Sequence, residues 1–237
     1  MSTDTPAHAP RDTPAHLNCK HPGMREVRAG RIGVMQAGGT PSWVIRENAS
    51  RSVLLALYLR EVLAIASPVE LPRLRDVGAM GKRLEMDQHD LLERQWRAWW
   101  AMTVEPEAHP SPVPLELVDA YETDVALPIS DAEVLAAAIV PHAEAARAWA
   151  EWAHQGYRTA SAARRGDSYR AYAGTIAEHE REVGRRAHSF ELNVEVVPFV
   201  SPGVWWIGAM TVAVTDALRS DASAFDDAIH PIIAELA

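Results

Sequence analysis

The chain has a single cysteine, Cys19, which excludes an intramolecular disulfide and any cysteine-rich zinc module. It has two lysines, Lys20 and Lys82, among 23 basic residues. Arginine carries the rest, and with the abundant alanine this reads as high-GC bacterial coding, which says nothing of function. Basic residues are outnumbered by 32 acids, giving a formal charge of −9, a balance that disfavours a phosphate-backbone partner. Strong catalytic signatures are also missing. No G-x-S-x-G elbow, G-x-G-x-x-G turn or H-E-x-x-H pair occurs. Gly78-Ala79-Met80-Gly81-Lys82 has the wrong glycine spacing for a phosphate loop, and Arg83 stands where a Ser or Thr is required.

The N-terminus has no apolar stretch of the secretory kind, so a cytoplasmic protein is expected. One run, Val196 to Thr215, is free of charge for twenty residues and long enough to span a bilayer. Pro198, Pro202 and Gly203 break it. Phe190, Leu192, Val194 and Val196 alternate with polar residues before Ser201-Pro202-Gly203, and Met210, Val212 and Val214 alternate after it. Two strands joined by a turn account for this pattern, so a membrane partner is not expected.

Composition is otherwise globular: 48% apolar and 23% charged over 237 residues, enough for a packed core. Residues 1–23 repeat Asp-Thr-Pro-Ala-His and read as a disordered tail. Residues 24–237 read as one α+β domain, with a lobe boundary offered by the proline-rich linker 105–114. Short apolar runs at 31–35 and 43–47 are candidate strands. Helices are expected over about 50–64, which is apolar all round and therefore central, and over 81–103. A further helix is expected from a Ser130–Glu133 capping box onward, kinked at Pro141. Others follow from Asp167 or Ser168 to His188 and at the C-terminus around Phe225, Ile229, Ile232 and Leu236. The fold expected is helix-rich, four to five helices packed with a small antiparallel sheet.

Two function classes follow. The leading one is a non-catalytic binding or interaction protein without a cofactor, meeting an unknown protein partner or a second copy of itself. Eight tryptophans against three phenylalanines motivate it, since tryptophan combines large apolar area with an N–H donor. Trp96, Trp100, Trp205 and Trp206 are its candidate contacts, helped by the acidic stretch 104–133, which has eight acids and no lysine or arginine. The alternative is a metal-dependent enzyme. Glu151 and His154 form an E-x-x-H spacing, and Glu178, His179 and Glu182 share a face of the following helix. Two such faces could hold one divalent ion, although a carboxylate-bridged pair would need a second E-x-x-H. His8, His16, Cys19 and His21 in the tail could also catch a transition metal, and read as an adventitious binder more simply than as a built site. The stretch Tyr157, Arg158, Arg164, Arg165, Tyr169, Arg170, Tyr172 could track a nucleic acid, but reads more simply as a helix end answering the acidic segment.

Overall fold

A computed structural model describes residues 43–78, 86–164 and 167–237. The expected tail with its candidate metal ligands, the expected strand at 31–35, and residues 79–85, 165 and 166 lie outside the described residues.

The fold is α+β. Strand β1 (Trp43–Asn48) leads into α1 (Arg51–Val62), followed by α2 (Met86–Val104). A two-stranded antiparallel sheet pairs β2 (Leu115–Leu117) with β3 (Ala126–Pro128). Then come α3 (Glu133–Ile139), α4 (Ala143–Ala163) and α5 (Asp167–Val183). The chain ends with β4 (Phe190–Val197), β5 (Val204–Trp206), β6 (Thr211–Thr215), α6 (Asp216–Ser220) and α7 (Ala222–Leu236).

The main sheet has the order β1-β4-β6-β5. Its first three strands are parallel, and only β5 runs against β6. This corrects the expected antiparallel pair. The Ser201-Pro202-Gly203 turn does not fold β4 back on its successor. It leads to the three-residue edge strand β5, which returns β6 into the gap beside β4. The reason lies in burial. Val194–Val197 and all of Thr211–Thr215 are covered on both faces, the environment of central parallel strands. The uncharged run is therefore strand and turn, and among the described residues no helix is long and apolar enough to cross a membrane.

One face of the sheet packs against α5 and α7. Ile45, Leu192, Val194, Val212 and Val214 meet Tyr172, Ile176, Phe225, Ile229 and Ile233 there. These two helices run side by side in the same direction: Tyr172 meets Phe225, His179 meets His230, and the Arg185 guanidinium donates to the carbonyl of Ala237. On the other side lies a larger helical core around α1, whose residues Val53 to Val62 are all buried, as its all-round apolar pattern predicts.

The helix boundaries show where local signals compete with tertiary ones. Pro141 divides its helix as expected, through a 3-10 turn over Val140–His142. The capping box does not form. Asp131 takes a positive φ of 63°, the helix begins at Glu133, and Glu133 accepts from the Asp131 amide. The free Leu135 amide donates instead to the Gln95 side chain of α2, 2.8 Å away, so a neighbouring helix supplies the cap. Ser50 likewise precedes α1, but its hydroxyl is turned to Glu195. At the far end, Gly184 at φ 67° stops α5 before His188.

Candidate functional site

Trp96 and Trp100 are not surface contacts. Trp96 is fully buried, donates its indole N–H to the Ala56 carbonyl at 3.1 Å, and stacks on Trp100. Their i, i+4 spacing puts them one turn apart on the same face of α2, a helix that packs on both α1 and α3. Trp205 is half-buried and meets Phe199 edge-on at 5.3 Å between ring centroids. A Cβ on Gly203 would lie 2.6 Å from its ring, so this glycine makes room for the indole. Trp206 points to the opposite face, as neighbours in a strand must, and is 37% exposed. Trp152, which is not among the candidate contacts and which its spacing from Trp149 places on the apolar face of the helix, is 48% exposed on α4.

The five expected metal ligands do not converge. Glu151 is bound to the Arg51 guanidinium at 2.6 Å, and the His154 Nδ1 sits 2.7 Å from the Ala49 carbonyl. Glu178 is exposed. The structure instead joins His179 and Glu182 of α5 with His230 of α7. One donor atom from each lies within 4.8 Å of the others, and among the described residues no other trio of His, Cys, Asp or Glu does so. His230 Nε2 is 3.2 Å from Glu182 Oε2, and the two imidazoles meet edge to face at 6.4 Å. Two donors on one tetrahedral zinc ion stand about 3.4 Å apart, so the His230–Glu182 contact already has close to that separation.

His179 is the informative member. It is 6% exposed, and its Nε2 has no hydrogen-bond partner. A buried polar atom left unpaired costs about 1–3 kcal/mol. Glu182, by contrast, is open to solvent, so a bound ion would keep a position facing water. Asp226 stands one turn before His230 on α7, and its carboxyl pKa is raised by burial, against the pull of Arg219 and with repulsion from Asp227 and Glu178. His230 has no histidine or glutamate at ligand spacing beside it in sequence. Its partners lie 48 and 51 residues earlier, and only the α5–α7 pairing brings them together.

A second polar group is buried nearer the end of β1. The Glu47 carboxylate, on the sheet face that carries Ile45, accepts from the Tyr172 hydroxyl and from Arg219 Nε, both at 2.7 Å and both on Oε2. Arg164, at the end of α4, reaches within 3.9 Å of Oε1, and the Tyr157 hydroxyl donates to the Glu47 backbone carbonyl at 3.0 Å. Arg219 lies over the Phe225 ring at 4.2 Å. Burial opposes its charge, yet the Glu47 carboxylate outweighs that and holds its pKa above the usual arginine value. Burial lifts Tyr157 to about 12 and Tyr172 well above its ordinary value, Glu47 adding to both. The basic, tyrosine-laced stretch thus contributes Tyr157, Arg164 and Tyr172 to the interior, while Arg158 and Arg170 are exposed. Arg165 lies outside the described residues.

Five buried side-chain atoms lack a hydrogen-bond partner among the described residues: Glu47 Oε1, Arg164 Nε, His179 Nε2, Arg219 Nη2 and Asp226 Oδ1. All five belong to the side of the sheet covered by α5 and α7. No family model matches the chain, and neither a curated protein nor a solved structure shows significant similarity to it.

Proposed function

We propose that this protein binds a divalent transition metal through His179, Glu182 and His230, and that the ion is its working centre. Two imidazoles and a carboxylate are a donor set suited to zinc. Three protein donors with one position open to water are the pattern of zinc sites that activate water or polarise a carbonyl. The observation that carries the reading is His179, buried with its Nε2 unpaired and with a ring nitrogen within 4.8 Å of donor atoms of His230 and Glu182. This revises the ligand set read from the sequence, keeping His179 and Glu182 and replacing Glu151, His154 and Glu178 with His230.

The test is zinc uptake by the full chain, measured by calorimetry and elemental analysis, against His230→Ala and His179→Ala. Each variant should bind one ion fewer than the wild type, with an unchanged far-UV spectrum. Equal stoichiometry and affinity in all three would remove the proposal, and would assign any uptake to other ligands such as the tail histidines.

A second reading, an interaction protein, is favoured by Trp152. This indole borders a shallow concavity on α4 lined with Gly156, Ala160 and Ala163, and Trp206 offers a further exposed ring. Sedimentation velocity of the wild type and of Trp152→Ala/Trp206→Ala addresses self-association. A concentration-dependent dimer lost in the double variant supports that reading, and a monomer throughout at high concentration speaks against a self-contact.

A further inference from the structure

We infer that the Glu47–Arg164–Arg219 cluster is a binding site for inorganic phosphate in a protonated form. The inference is independent of the metal centre. It starts from the unpaired atoms. Arg164 Nε and Arg219 Nη2 are buried donors without acceptors, and Glu47 Oε1 is a buried acceptor without a donor. Arg219 is 3% exposed, and the Glu47 side chain is wholly covered. The Arg164 side chain is 19% exposed and forms the group's solvent edge.

Charge points to an anion. Two guanidiniums face one carboxylate, and a buried charge without a counter-ion is costly. Asp226 feels the charge of Arg219, but its buried Oδ1 receives no hydrogen bond from it. The donor–acceptor pattern narrows the choice further. A fully ionised oxyanion satisfies the two arginines but presses a lone pair against Glu47 Oε1. Hydrogen phosphate satisfies all three: its oxygens accept from Arg164 Nε and Arg219 Nη2, and its P–OH donates to Glu47 Oε1. Tyr172 and Arg219 Nε hold the other carboxylate oxygen, so Oε1 is the one left to read the proton. The site stands at the carboxyl end of a parallel strand, where ligand sites of open sheets collect.

Discrimination therefore rests on Glu47. Hydrogen phosphate keeps its last proton through the neutral range. Sulfate has none, and a phosphate monoester, with a second pKa near 6, has lost its own at pH 7.5. A site built to pair a buried polar atom rejects an analogue that leaves it unpaired.

The experiment is calorimetric and 31P NMR titration of the full chain at pH 7.5, in EDTA, with inorganic phosphate, sulfate and phenyl phosphate. Phosphate should bind at least about tenfold more tightly than either competitor. Glu47→Gln, which places an amide donor at the reading position, should bring sulfate level with phosphate. Arg164→Gln, at a helix end, should weaken phosphate at least about tenfold with the fold intact. His230→Ala should leave binding unchanged, separating this result from metal-held phosphate. No phosphate binding, as expected if water alone fills the cluster, overturns the inference. So does wild-type sulfate binding equal to phosphate, or Arg164→Gln binding as tightly as wild type.

Discussion

The two sides of the main sheet are built on different terms. Around α1 the core is mostly apolar, and the polar groups it buries are paired: Arg60 with the carbonyls of Ser67, Pro68 and Leu71, Glu61 with Arg73, Trp96 with Ala56, Gln95 with Leu135, Tyr121 with Ile139 and Trp149 with the Arg75 carbonyl. The α5–α7 side buries His179, Arg219 and Glu47, with His230, Arg164 and Asp226 partly covered beside them, and every buried side-chain atom left unpaired among the described residues lies there. The first side is what a sequence needs to stay folded. The second keeps polar groups inside at a cost in stability, as a binding layer does.

The contrast can be broken most forcefully at Glu47. Glu47→Ala leaves Arg219 buried without its carboxylate and should lower stability by about 3–5 kcal/mol in urea denaturation. The double variant Glu47→Leu/Arg219→Met should recover most of that loss, because an apolar pair of similar volume needs no compensation. A single variant as stable as wild type would mean that the two groups are not coupled. On the dry side, Leu57→Ala removes a fully buried side chain from α1 and should cost about 2–5 kcal/mol. Zinc and phosphate binding should survive it, which confines ligand chemistry to the other layer.

A smaller effect sharpens the border between the two sides. Glu195 on β4 accepts from the Ser50 amide at 2.7 Å and from its hydroxyl, yet burial raises the carboxyl pKa against both bonds. An acid whose folded pKa exceeds its unfolded one binds more protons when folded. Its contribution is complete below the unfolded value of 4.5 and is lost as pH rises through the folded value. Glu195→Gln should therefore remove a fall in stability with pH above 4.5, seen by comparing denaturation midpoints of the two proteins from pH 4 to 7. Parallel pH profiles would contradict this. Least of all, Arg51→Ala breaks an exposed ion pair with Glu151, and a loss under about 1 kcal/mol is expected.

What was legible in the sequence follows the same division. The α1 side was readable because apolar runs and periodicity report burial: Val53–Leu59 pointed to a central helix, and Pro141 to a break. The β4 and β6 strands were also visible, but period two cannot report which strands pair or in which direction. The polar layer was nearly invisible. Glu47 sits in a short strand with no neighbour in sequence to explain it, and Arg219 follows 172 residues later. His179 and Glu182 were found because three residues make nearly one helical turn. His230 had no such local signal, since only the packing of α7 on α5 brings it to them. Tryptophan spacing misled for a related reason: it places rings on a helix, but a second helix decides whether they face water.

X-ray absorption of the full chain loaded with one equivalent of zinc tests the central claim most directly. Two imidazole nitrogens at about 2.0–2.1 Å with oxygen completing the shell, reduced to one imidazole in His230→Ala, is the expected result. A shell containing sulfur, which only Cys19 or a methionine could supply, or one unchanged by loss of His230, would contradict the account.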